Sequence, residues 1–346
     1  MPYEHDHHAL LATSAVSRRS LLTRGSASLG ALMVGALLDA CTPPRVASDT
    51  ASPSQPPSVV DANAGNRSDI PGEILEGFEP FAATVKVLQD GAVWMVESTG
   101  MPAHNMMVGI KSWQQQVPLP QPYAGNNAWR IPAAPVIAKT PVSAKTALYR
   151  GAIALAVNGV PIFNALNNRG DDAYLAGELD EWGGHSGRAD DYHYHIAPLH
   201  LQSMVGKSAP IGYALDGFRL YGIEEPDGTA LAGLDEFSGH TDKAGVYHYH
   251  STRTYPYING GLRGVIQVRD DQVDPQPAAA PVRPPLQPLR GAVITGFRTI
   301  AANAFSLEYR LNERLFTLNY GFNGGAYTFE FVDPSGAKRT ETYRRR

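Results

Sequence analysis

The chain has 346 residues, with 29 Lys plus Arg set against 33 Asp plus Glu and a single cysteine. A slightly acidic balance without a basic stripe argues against nucleic-acid binding through phosphates. One cysteine leaves no disulfide framework, while a 43% hydrophobic fraction is ample for a core.

Residues 1–40 read as a targeting segment rather than as fold. Ser17-Arg18-Arg19-Ser20-Leu21-Leu22 resembles a twin-arginine export signal, followed by a Gly- and Ala-rich run from Ser26 to Leu38. That run is shorter than the roughly 20 apolar residues a membrane span needs. Leu38-Asp39-Ala40-Cys41 has the form of a lipoprotein cleavage box, with Cys41 as the lipidated residue, although Asp39 is unusual there. The alternative is a soluble exported protein cut near Ala40. The expected location is the cell envelope, in the periplasm or at the cell surface, with the membrane as partner through the lipid. Residues 41–72 are rich in Pro, Ser, Ala and Asp, cannot bury enough surface to offset chain entropy, and read as a tether.

From Phe78 the composition becomes globular. Ala83–Leu88 and Ala92–Val96 flank Gln89-Asp90-Gly91, the pattern of a hairpin. His104 follows Met101-Pro102 in a loop, where it either joins a site or is a solvated residue. Gly151–Asn158 and Ile211–Asp216 are short apolar strands ending in Asn158-Gly159 and Asp216-Gly217, each followed by another strand.

The densest chemistry lies in Tyr192-His193-Tyr194-His195 and Tyr247-His248-Tyr249-His250. Strict alternation puts both tyrosines of a strand on one face and both histidines on the other. Leu179–His195 aligns with Leu234–His250 without a gap at an offset of 55, with ten identities in 17 positions. Thr241-Asp242-Lys243-Ala244-Gly245 reads as a five-residue hairpin loop, pairing His240 with Val246. One face then carries His240, His248, His250 and Glu236, and the first copy gathers His185, His193, His195 and Glu181. Three imidazoles and a carboxylate suit a transition metal, zinc or copper first, iron or nickel next. The bland alternative is core tyrosines with hydrogen-bonded surface histidines. Of each Asp-Glu pair (Asp180-Glu181, Asp235-Glu236), the aspartate is left to cap a turn or bind a tyrosine hydroxyl.

This pattern resembles the YHYH-domain family over roughly Phe78 to Val268. The resemblance rests on Thr99-Gly100-Met101-Pro102-Ala103-His104, Val157-Asn158-Gly159-Val160-Pro161-Ile162-Phe163, Gly212-Tyr213-Ala214-Leu215-Asp216-Gly217-Phe218 and the two histidine units. A cysteine common in the family after Asp-Glu is Trp182 in one unit and Phe237 in the other, so no thiol chemistry is implied here. The family implies no particular reaction.

Residues 271–290 form a Pro-rich linker, and 291–346 alternate as a small antiparallel β unit with turns at Asn323-Gly324-Gly325 and Asp333-Pro334-Ser335-Gly336. The fold class expected is mainly β, an internally duplicated domain over 73–270 with two hairpin-like histidine units, plus this C-terminal sheet. Two functions compete: a metal-binding envelope protein, and a non-catalytic surface module for a glycan or a partner protein. Whether the two histidine units build one site or two is open at this level.

Overall fold

The computed structural model describes residues 75–345. The signal-like segment, Arg18, Arg19, Cys41 and the expected tether lie outside the described residues. Among the described residues, no helix is long and apolar enough to cross a membrane.

The fold is mainly β. β1 (Lys86–Asp90), β2 (Val93–Glu97) and β3 (Trp129–Pro132) form an antiparallel sheet whose first hairpin turns at Gly91, as the Asp-Gly signal predicts. β4 (Ile137–Ser143) is held back for a later partner. The central sheet takes β5 (Ala152–Ala156), β6 (Pro161–Phe163), β7 (Gly184–Ser186), β8 (Tyr192–Tyr194), β9 (Gly212–Ala214), β10 (Arg219–Tyr221), β11 (Gly239–Thr241) and β12 (Tyr247–His250). The short α1 (Gln202–Val205) lies between β8 and β9. β13 (Gly261–Gly264) returns to β4, and β14 (Gln267–Arg269) pairs with β15 (Gln272–Asp274). A C-terminal meander closes the chain: β16 (Val293–Ala301), β17 (Ala304–Leu311), β18 (Arg314–Asn323), β19 (Ala326–Val332) and β20 (Lys338–Arg344).

The central sheet has the order β11-β12-β10-β9-β5-β6-β8-β7. Its middle pair, β5 with β9, is antiparallel. Moving outward on either side, the next pairing is antiparallel, the next parallel and the outermost antiparallel. The two histidine hairpins therefore occupy opposite edges. β5 is buried at every residue, as a strand covered on both faces should be.

Apolar side chains of the central sheet, the N-terminal sheet and the C-terminal meander belong to one continuous core, from Val96 and Ile153 to Leu307 and Leu318. Backbone bonds from Gly109 N to Ile294 O (2.9 Å) and from Ile294 N to Ile110 O (3.1 Å) join the meander to the chain ahead of it. The Pro-rich stretch expected as a linker is tied down by Arg283. Its guanidinium forks onto both oxygens of buried Asp190 at 2.9 Å and lies 4.3 Å from the ring centre of Phe329. A buried bidentate pair of this kind holds both position and direction.

Candidate metal centres

Each hairpin carries its histidines through a short chain of local causes. Asp180 opens the first unit: its Oδ1 accepts the amides of Trp182 (3.0 Å) and Gly184 (3.1 Å), while Oδ2 accepts Met107 N (2.7 Å) and the Tyr192 hydroxyl (2.8 Å). Asp235 repeats the motif with Phe237 N, Gly239 N and the Tyr247 hydroxyl. The glycine before each histidine follows from this contact. A Cβ on Gly184 would stand 2.5 Å from the Tyr192 hydroxyl, and one on Gly239 would stand 2.2 Å from that of Tyr247. Glycine leaves the passage through which the phenol crosses to its aspartate. Both aspartates thus take the turn-capping and tyrosine-binding roles that the sequence leaves to them.

The alternation of faces is as expected, but the register differs. His240 pairs with His248 and His185 with His193, rather than His240 with Val246. The five-residue loop runs one position later, from Asp242 to Val246, where Asp242 Oδ1 accepts the amides of Ala244 (2.8 Å) and Val246 (2.9 Å). The shift is two residues, so the histidines stay on one face.

Glu181 and Glu236 do not join them. Both are exposed, because each sits in the turn that its neighbouring aspartate caps, where strand alternation does not hold. The turns need left-handed backbone, supplied by Gly183 at φ +82° and Ser238 at φ +60°. In the second group the carboxylate comes from Glu225 instead. Its Oε1 lies 3.0 Å from His240 Nε2, and its Oε2 lies 3.4 Å from His250 Nε2 and 3.6 Å from His248 Nε2. Glu225 follows β10, which lies parallel to β12, so only tertiary pairing brings it in. A sequence signal was present but hidden. Asn167-Asn168-Arg169-Gly170 and Glu225-Pro226-Asp227-Gly228 form matching turns, at an offset of 58 that the gapless alignment at 55 does not reach.

The ring nitrogens converge. His195 Nε2 lies 3.1 Å from His185 Nε2 and 3.2 Å from His193 Nε2. In the second group His240 Nε2 lies 3.1 Å from His248 Nε2. The candidate ligand atoms of each group all fall within 4.8 Å of one another. Nitrogens around a tetrahedral zinc stand roughly 3.3 Å apart, given bonds near 2.0–2.1 Å.

The outer nitrogens decide what the inner ones offer. His195 Nδ1 meets Asn164 O at 2.5 Å, His193 Nδ1 meets Asp191 O at 3.0 Å, and His185 bonds the Glu178 backbone. In the second group the partners are Gly222 O for His250, Ala232 O for His240 and the Val246 backbone for His248. A carbonyl oxygen only accepts, so a neutral ring bonded to one through Nδ1 carries its hydrogen there and presents a lone pair at Nε2. Burial, with help from neighbouring histidines, holds His185 well below the usual imidazole range and His195 at about 3. Burial likewise holds His250 at about 4. At neutral pH His185 and His195 are neutral, so their Nε2 lone pairs face each other at 3.1 Å with no proton between them. A cation placed at the centre would turn that repulsion into coordination.

His104 lies on the tyrosine side. Its Nε2 is 2.7 Å from the Tyr194 hydroxyl and its ring stacks on Trp182 at 4.7 Å, so it neither joins the histidine groups nor stands free in solvent. Tyr194 also accepts Asn158 Nδ2 at 3.0 Å, and Tyr249 donates to Asp216 Oδ2 at 2.5 Å. The phenols are anchored away from the nitrogens.

Fold and site together define a mainly β protein with a histidine cluster on each outer hairpin of one sheet. Residues 128–230 match the family model described as YHYH protein, so the chain carries a domain of that family there. The match spans 103 of 346 residues, narrower than Phe78 to Val268, and it takes in the first Tyr-His-Tyr-His while stopping short of the second. No curated protein and no solved structure matches the chain.

Proposed function

We propose that this is an exported, lipid-anchored envelope protein that binds a transition metal ion at each of its two histidine groups. The supporting observation is the convergence of the candidate ligand atoms within each group, with Nδ1 of His193, His195, His240 and His250 held on a backbone carbonyl. Such outer partners set tautomer and ring orientation in metal sites generally. Imidazole donors with at most one carboxylate suit zinc or copper first, with iron or nickel as further candidates. Two ions rather than one is the stoichiometry that the strand order supports. Four strands lie between β8 and β12, so the groups are roughly 24 Å apart at about 4.8 Å per strand step.

Elemental analysis of protein purified from its native export route, never exposed to chelator, is expected to return two metal ions per chain. A folded sample with no metal above background would sink this reading. It would leave the non-catalytic surface module as the better account.

The envelope location rests on the Arg18-Arg19 signal and on Cys41. Wild-type protein is expected to partition with membranes, and the Cys41→Ala variant to be released into the soluble fraction. Wild-type protein that is already soluble after export would refute the anchor without touching the metal sites.

A further inference from the structure

The two histidine groups differ in their fourth position. Glu225 reaches all three histidines of the second group. Its counterpart in the matching turn of the first group is Asn167, and that side chain is committed elsewhere. Asn167 Nδ2 donates to the Glu178 carboxylate at 3.2 and 3.3 Å, and Oδ1 accepts the amides of Arg169 (2.9 Å) and Asp171 (3.1 Å). The first group therefore has three protein ligands and faces a cavity of about 270 Å³, whose lining includes His185, His193 and His195.

The lining of that cavity is cationic in a chain whose net charge is −4. Arg150, Arg169 and Arg188 stand on it against one carboxylate, Glu178, which Arg169 already neutralises. Arg150 and Arg188 are exposed, and among the described residues neither makes an ion pair. A dication held by neutral imidazoles would add two more positive charges beside them. Metal sites with three protein ligands keep a position for an outside molecule, whereas four protein ligands make a closed structural site. Guanidinium groups near such a position select oxygen anions by paired N–H donation.

We propose that the first histidine group is an open metal site that takes a small oxyanion, of the phosphate or carboxylate class, as its outside ligand, while Glu225 closes the second group. The proposal rests on the metal-binding reading above. The oxyanion bonds the ion at the position that Glu225 fills in the other group, and Arg150 and Arg188 hold its remaining oxygens.

The test uses the full chain loaded with cobalt(II), whose visible absorption reports its ligands, titrated with inorganic phosphate and, separately, with acetate. A saturable spectral change with at least one of them is expected, and the tighter of the two assigns the class. The Arg150→Ala, Arg188→Ala double variant changes only exposed side chains. It should keep its cobalt and need at least tenfold more anion. Asn167→Glu, which supplies the carboxylate of the second group, should abolish the response. Two bound cobalt ions with no response to either anion would overturn this proposal alone, as would an undiminished response in the arginine variant. Failure to bind cobalt would overturn the metal reading, and this proposal with it.

Discussion

Replacing His193 and His195 together by alanine is expected to empty the first metal site and leave one ion per chain in the second. Two of three imidazoles are lost at a centre where the third, His185, cannot hold an ion against solvent. Changes to the outer partners of metal ligands alone typically cost 10–100-fold in affinity, so loss of two ligands should exceed that range. The paired control is Tyr192→Phe with Tyr194→Phe on the opposite face. Those hydroxyls touch Asp180, His104 and Asn158, and no ring nitrogen of the triad. Their loss should cost stability, roughly 1–3 kcal/mol each for buried groups left unpaired, while the metal content stays at two. Titration with a competing chelator, read beside elemental analysis, separates the two effects. Losses of similar size from both pairs would defeat the assignment of faces. Loss of both ions from the histidine variant would defeat the separation of sites.

Metal-free protein is expected to lose stability steeply below pH 6.5. Burial is the main cause that holds His195 and His200 at about 3 and His104 at about 4 in the folded chain, with His185 also well below its usual 6.5. Unfolding returns each ring to that ordinary value. Below pH 6.5 the unfolded chain takes up protons that the folded chain refuses. Stability that is full above pH 6.5 is therefore lost as the pH falls towards the folded values. Each such ring contributes a slope of about 1.4 kcal/mol per pH unit. Four of them together remove roughly 4 kcal/mol over the first unit, a sizeable share of the 5–15 kcal/mol typical of folded domains.

Asp180 works in the opposite sense. Burial raises its carboxyl from 3.8 to about 6 and raises that of Asp216 as well, so these two groups gain stability as the pH falls towards their folded values. Two carboxyls do not offset four imidazoles. Urea denaturation of chelator-treated protein at pH 7.0 and 5.5, followed by tryptophan fluorescence, should show a markedly lower midpoint at the acid value. Equal midpoints would mean that these rings are not held neutral by the fold.

Much of this was legible before any coordinates because the relevant physics is local. Alternation in Tyr192-His193-Tyr194-His195 separates phenols from imidazoles whatever the strand pairs with, since successive side chains must point to opposite faces. Asn158-Gly159 and Asp216-Gly217 mark turns because glycine adopts the left-handed backbone, at φ +79° and +95°, with no steric cost. The meander of β16 to β20 follows from alternating runs broken at Asn323-Gly324-Gly325 and Asp333-Pro334-Ser335-Gly336.

What local pattern could not decide were distances between elements remote in sequence. Extending strand alternation upstream assigned Glu181 and Glu236 to the sites, yet Asp180 and Asp235 bend the chain there and turn both glutamates outward. The carboxylate of the second group, Glu225, arrives through the parallel pairing of β10 with β12, a contact no nearest-neighbour rule contains. One site or two was likewise a question of strand order. The sequence by itself determined which side chains share a face and where the chain turns, because those depend on neighbouring residues. Only the tertiary structure decided which carboxylate joins a histidine group and how far apart the two groups lie, because hydrogen-bonded pairing across the sheet sets both.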